Sequence, residues 1–367
     1  MPVQPAAAAA ADLAPFWQGL RQRIVAPDSL SEGAGGTAPD LPVAPETAAY
    51  AGILGMALVG WAMQLPNDRA DVRRSRLYNR YRIASGWRWA VRLREAGIET
   101  VCIKGLAAAA TIYPESGLRA MADADLLLRG RDLGPALQFF LSQGFAVGQE
   151  PTRHSWGFIG DASAEPLISP EGSNIDLHRH PDAWPLHKGL STEAVMAASQ
   201  VCSTMEGEIR VPCREHQLLI AASNAARDLF DPPSLKLLID GAFILMRQDG
   251  SGTALDWQEV ERRATDGDGL RGLRSYLSLM GLLGFDLSDV PARLRSGTSD
   301  PGAWLLRSIA AELGSGRFGD PELDHGLGHK LLREVLLSAS LRTVLWRNIT
   351  RLSGLARPNR GMLADLQ

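Results

Sequence analysis

Asp123 and Asp125 stand two residues apart in D-A-D-L-L-L at 123–128, a run whose apolar end predicts a β-strand. Alternation along a strand points both carboxylates to one face, where they can share divalent cations. A third carboxylate, Asp176, lies in N-I-D-L-H at 174–178 between Ile175 and Leu177, as on another short strand. Upstream, V-C-I-K-G at 101–105 closes an apolar run with Lys104 and Gly105 and leads into the helix-prone stretch 106–112. That is how a strand hands backbone N–H groups to a phosphate at a helix start. Oxygen-only ligands favour Mg²⁺ or Mn²⁺ over zinc. In-line phosphoryl transfer needs cations that bridge the attacking and leaving oxygens, and three carboxylates suffice for two ions once phosphates and water complete the shells. His178, His180 and His187 follow Asp176 and raise a zinc alternative. An H-x-H zinc hydrolase belongs on the first strand of an eightfold strand and helix series, which this order of elements excludes.

These residues need a frame, and the spacing of apolar and turn residues predicts one. Residues 8–24 form a short amphipathic helix, and 26–45 is a Gly, Pro and Ser-rich connector that marks a boundary. One helix is expected from Glu46 to Leu65 and a longer one from Asp71 to Ala96, with Leu77, Tyr81, Ala84, Trp87 and Val91 at helical spacing. Gly97 ends it. Strands at 99–103, 124–129 and 144–149 then alternate with helices at 106–113 and 132–143. Extended segments at 155–159, 165–169 and 173–178 follow, and the turn E-G-S-N at 171–174 makes the last two a hairpin that delivers Asp176 beside the D-A-D strand. A second strand pair is expected at 200–205 and 208–212. Beyond Pro212 the pattern is helical, at 213–230, 233–247, 256–266, 269–284, 302–313 and 327–354. The fold class is α/β (α+β), divided as 1–45 (flexible segment with one helix), 46–98 (helical), 99–212 (the mixed-sheet core with the site) and 213–367 (helical domain).

Composition narrows the partners. The 367 residues carry 45% hydrophobic content, ample for a core, and a net charge of −3 that gives no overall attraction to nucleic acid or membrane surfaces. Stable nucleic-acid binding is therefore not expected. Cys102, Cys202 and Cys213 form no C-x-x-C pair, which argues for a reducing cytoplasm and against a disulfide framework. The N-terminal run has no basic region before a compact apolar core, so no signal peptide is read. The uncharged stretch from Thr47 to Pro66 has spanning length but is diluted by Ala, Gly and Gln64, and a buried helix is expected there. On and just before the 71–96 helix, nine arginines from Arg69 to Arg94 cluster with Tyr78, Tyr81, Trp87 and Trp89. The reading is a basic face turned to solvent, able to meet a phosphate-rich acceptor through Arg76 and Arg80, with the aromatic rings buried.

Lys104-Gly105, then Arg119 with Asp123, Asp125, Leu126 and Leu127, then Asp176-Leu177-His178 resemble the poorly characterised bacterial nucleotidyltransferase family of the polymerase-β-type superfamily. The resemblance spans about residues 75–260. Lys104-Gly105 stands where the wider superfamily has Gly-Ser, Ala120 where the narrower family has Pro, and Ala124 where it has Ile. What the resemblance implies is a small nucleotidyltransferase core between N-terminal helices and a C-terminal helical domain that completes the acceptor pocket. It implies transfer of a nucleoside monophosphate from an NTP such as ATP to an acceptor hydroxyl or phosphate, with Mg²⁺ or Mn²⁺. Asp123, Asp125 and Asp176 would be the catalytic and metal-holding residues, Lys104, Gly105 and Arg119 the nucleotide-binding ones, and His178 a supporting residue behind them. Arg119 has a second reading as a structural ion pair. The acceptor is open, between a small molecule and a modified peptide. The competing class is a non-catalytic protein that keeps the fold and binds nucleotide or another anion.

Overall fold

A computed structural model describes residues 14–25, 45–148, 166–182, 186–246, 254–295, 302–316 and 327–354. The expected strand at 155–159 and most of the 26–45 connector lie outside these residues. The N-terminal helices are α1 (Ala14–Val25), α2 (Pro45–Leu54), α3 (Met56–Ala62) and α4 (Ala70–Glu95). The single helix expected over 46–65 is two, because Gly55 takes φ +80, a left-handed conformation that ends one helix and re-aims the next. No described helix is long and apolar enough to cross a membrane.

The central chain runs β1 (Val101–Cys102), α5 (Lys104–Thr111), β2 (Asp123–Leu127), α6 (Leu133–Ser142), β3 (Ala146–Val147), β4 (Leu167–Ile168) and β5 (Asn174–His178). The five strands form one mixed sheet in the order β1-β2-β5-β4-β3. β1 is antiparallel to β2, β2 is parallel to β5, and β4 and β5 form the expected hairpin, pairing Leu167 with Ile175. The parallel pair sets Asp125 directly beside Asp176 in register, and Asp123 beside Asn174.

After the short helices α7 (Leu186–Gly189) and α8 (Thr192–Ala197), the second hairpin β6 (Gln200–Thr204) and β7 (Gly207–Val211) turns at Gly207 with φ +124. The helical half follows as α9 (Arg214–Arg227), α10 (Leu235–Met246), α11 (Trp257–Asp266), α12 (Leu270–Leu282), α13 (Ala303–Ser315), α14 (Leu327–Arg333) and α15 (Leu341–Gly354). A π-turn at Glu334–Ser338 interrupts the last expected helix, which is why 327–354 is not one rod.

Strand alternation gives β2 two faces in two different cores. Ala124, Leu126 and Leu128 pack with Ile175, Leu177, Phe140 and Trp89 in one buried cluster, while Leu127 joins α5, α9 and α10 in the other. Asp123 and Asp125 share the Leu127 side and so face the helical half. Gly86 allows α4 to lie close on this sheet: a Cβ there would stand 2.7 Å from Leu106 Cδ2 and 3.0 Å from Ala124 Cβ.

α4 itself departs from expectation in its apolar face. Trp87 and Trp89 are buried, but Leu77, Tyr78 and Tyr81 are each more than half exposed. The apolar stripe inferred from spacing is thus buried only at its C-terminal end, at Trp87 and Val91, and the N-terminal half buries Val72, Asn79 and Ile83 instead. Arg76 and Arg80 both pair with Glu115, at 3.2 and 2.7 Å, and Arg88 pairs with Glu206 at 2.9 Å. Several of the arginines therefore fasten α4 to its neighbours, and Arg76 and Arg80 are not the unpartnered solvent charges that the sequence reading made them.

Candidate active site

Asp125, Asp176 and His178 are all buried and offer ligand atoms that lie within 4.8 Å of one another. Two carboxylate oxygens and an imidazole nitrogen suit a divalent cation, provided the acids are ionised and the histidine is neutral. Asp125 and His178 meet these conditions. Although burial opposes its charge, the adjacent Lys104 ammonium and the His178 hydrogen bond hold Asp125 well below the usual carboxylate range. Burial and then the Lys104 charge push His178 below its ordinary value, so the ring is neutral at neutral pH.

Asp125 meets its two partners on one oxygen. Lys104 Nζ donates to Oδ1 at 2.6 Å and His178 Nε2 bonds the same atom at 2.7 Å. His178 Nδ1 is a buried polar atom with no hydrogen-bond partner among the described residues, and both bonds to Asp125 fall on Oδ1. That unmet nitrogen, on a residue grouped with Asp176, is the observation by which the donor set fits a metal ion. His178 therefore belongs among the candidate ligands, one step nearer than the supporting place assigned to it from sequence. The signal was there in the period-2 spacing of Asn174, Asp176 and His178, which puts all three on one face.

Asp123 sits outside this group of three. It is partly exposed, and burial together with the Asp125 charge raises its carboxyl above the ordinary value, with Lys104 and Lys236 opposing. It lines a small recess with Arg82, Met121 and Asn174 at the edge of the sheet.

The K-G turn is built differently from expectation. Lys104, not Gly105, takes the left-handed conformation, with φ +51, at the head of α5. A non-glycine residue there stores about 1 kcal/mol of strain, and such residues gather at functional sites. Gly105 is buried, and its missing side chain makes room for Met121, whose Cγ and Sδ would be 3.2 Å from a Cβ.

Arg119 turns away from the carboxylates. Its Nε and Nη2 donate to the two oxygens of Asp240 on α10, each at 2.8 Å, and Tyr113 donates to the same carboxylate at 2.8 Å. All three side chains are buried. Of the two readings offered from sequence, the geometry places Arg119 in the ion pair and not against an open anion position. Asn224 donates to Asp182, which also receives Arg227 at 2.9 Å, so the polar residues of α9 and α10 anchor the helical half to the strand ends. His180 and His187 stack on each other, 4.4 Å between ring centres, apart from the group of three. A groove of about 470 Å³ between α12 and α13, lined by Leu282, Phe285, Leu287 and Leu306, contains none of these residues.

The neutral histidines set the acid stability. Burial pushes His216 down to about 4, and burial with the neighbouring His187 pushes His180 down to about 4. A folded-state value below the unfolded one, near 6.5, means the stabilisation is present in full above about pH 6.5 and is lost as pH falls toward 4. For the buried His216 imidazole this is expected to cost about 2 kcal/mol by pH 5, and less for the half-buried His180, whose charge water screens. Urea unfolding midpoints measured from pH 7 down to pH 4.5 should fall steadily, and His216→Gln should flatten that slope. A flat profile in the wild type would refute it.

A family model described as uncharacterised nucleotidyltransferase matches residues 84–283, from the middle of α4 through β2, β5 and the Asp240 helix to the end of α12. No curated protein matches the chain.

Proposed function

Because the chain belongs to the uncharacterised nucleotidyltransferase family, we propose that it moves a nucleoside monophosphate from an NTP to a hydroxyl or phosphate of an acceptor, on a core of the polymerase-β type. The observation that carries the reading is the register of β2 and β5, which sets Asp125 beside Asp176 with Lys104 and His178 against them. Asp125, Asp176 and His178 would hold Mg²⁺ or Mn²⁺, with Asp123 completing the shell from the more open side. When bound, such a cation supplies charge stabilisation for the transferring phosphoryl group. Lys104 and the first turn of α5 at Gly105 are placed to attract the triphosphate. Asp176 is the carboxylate placed to orient an acceptor and take its proton. In this reading residues 99–212 are the catalytic core, 213–367 the helical domain that completes the acceptor side and 46–98 the helical support; α1, expected within a flexible segment 1–45, instead buries Phe16, Trp17 and Leu20 in the core.

One observation favours the alternative of a non-catalytic nucleotide- or anion-binding protein. The Lys104 to Asp125 ion pair, 2.6 Å long, neutralises a candidate ligand from within the chain. The two readings part in one assay: purified protein with each labelled NTP, Mg²⁺ or Mn²⁺ and a cell-extract acceptor pool, followed for labelled product and pyrophosphate. The expected result is acceptor-dependent pyrophosphate release that Asp176→Asn removes. Nucleotide binding with no pyrophosphate released under either metal would leave the binding protein.

A further inference from the structure

Lys236 has an unusual position for a lysine. It lies in the first turn of α10, where the helix dipole disfavours a cation, and it is only partly exposed. Three other cations around the carboxylates each have a carboxylate of their own. Lys104 takes Asp125, Arg119 takes Asp240, and Arg227 takes Asp182 and Asp228. Lys236 has no ion pair within 4.0 Å among the described residues. Its position is nevertheless defined. Asp240 is four residues on, hence on the same face of α10, and is clamped to Arg119 at the approach to β2. Lys236 therefore faces the same cleft as the acid-bearing face of β2, and its charge is felt by Asp123 and Asp125. Burial and the nearby Arg119 work against that charge.

A second orphan lies two residues earlier. Ser234, 1% exposed, closes the turn Pro232–Ser234 that enters α10, and its hydroxyl has no hydrogen-bond partner. The backbone N–H of Leu235 is already taken by the Pro232 carbonyl, so the side chains are what the start of α10 has to offer. An unpaired ammonium and an unmet buried hydroxyl at the entry to α10 together form a site short of an anion. We propose that the start of α10, with Lys236 as its charged group and Ser234 beside it, is the subsite for a phosphate group opposite the carboxylates. It rests on the nucleotidyl-transfer reading in assigning that phosphate to the β,γ-phosphates of the NTP. A phosphate of the acceptor is the other source of the same chemistry.

The test is equilibrium binding of labelled NTP, labelled NMP and pyrophosphate to the full chain, as wild type, Lys236→Met and Lys236→Arg. Methionine keeps the alkyl stem that covers the helix, and arginine keeps the charge. Lys236→Met is expected to weaken NTP and pyrophosphate about tenfold, the loss of one charge-assisted contact, with NMP changed by less than about twofold and Lys236→Arg close to wild type. If the wild type binds NTP but Lys236→Met binds NTP and pyrophosphate equally well, the subsite is wrong and the transfer reading stands. Pyrophosphate bound without nucleotide, and weakened by Lys236→Met, keeps the phosphate subsite and overturns its assignment to an NTP. An equal loss of NMP and NTP overturns the β,γ placement. A wild type that binds none of the three overturns both readings.

Discussion

Asp125→Asn should abolish turnover and also lower stability, and the second effect is what the structure adds. Turnover is expected to fall about a thousandfold or more, because a central anionic ligand of the candidate metal site is gone. The stability loss follows from Lys104, whose side chain is only 21% exposed and whose ammonium lies 2.6 Å from Asp125 Oδ1. Asparagine would leave that ammonium without its counter-charge, and removing one member of a largely buried pair costs about 3 kcal/mol. Asp123→Asn makes the contrast. Asp123 is partly exposed and forms no ion pair within 4.0 Å among the described residues, so its loss should change stability by less than about 0.5 kcal/mol while still reducing turnover. Urea unfolding with pyrophosphate release on both variants checks the pair. An Asp125→Asn protein as stable as the wild type would show that Lys104 has another counter-charge.

Arg119→Met should have the largest effect on stability, about 4 kcal/mol. Both oxygens of Asp240 take N–H donors from Arg119, and the carboxylate is 4% exposed, so the variant leaves a buried anion with the Tyr113 hydroxyl as its one remaining hydrogen-bond donor among the described residues. The double variant Arg119→Met, Asp240→Asn removes that stranded charge and should recover at least about 2 kcal/mol, a coupling that only a direct pair produces. Arg119→Lys should rescue little, because an ammonium cannot reproduce the two-pronged contact. Additive losses in the double variant, measured by denaturant unfolding, would dismiss the pair as the anchor of α10.

Much of the sheet was legible because strands announce themselves by alternation and hairpins by glycine turns. D-A-D-L-L carries the first signal and N-I-D-L-H, entered from the E-G-S-N turn, carries both, and the same period that defines the strands puts Asp125, Asp176 and His178 on one face. The N-terminal face of α4 was misread, since Leu77 and Tyr81 share a helical spacing with Trp87 and Val91 yet lie where nothing covers them. Spacing reports which residues share a face, and only the tertiary neighbours decide how far along that face burial extends. Arg119 found its carboxylate 121 residues away, a distance no local pattern reveals. Lys236 was missed for the same reason: on a helix that reads as apolar, one lysine looks like a solvated charge until Asp240 and Arg119 show which way its face points. The left-handed backbone at Lys104 was hidden by the glycine after it, the residue to which such a conformation is ordinarily assigned.

The pairing of β2 with β5 also has an evolutionary meaning. Asp125 and Asp176 are brought level by backbone hydrogen bonds between two five-residue strands, while the chain linking them makes a long excursion through α6, β3 and β4. The entropy of closing such an excursion grows only logarithmically with its length, about 0.6 kcal/mol for each doubling. Insertions and deletions in the excursion are therefore cheap, whereas a one-residue slip of either strand would swing its acid to the opposite face. Lineages are free to lengthen, trim or redecorate this part of the molecule, and so to vary whatever it meets, under selection that holds the two short strands in step.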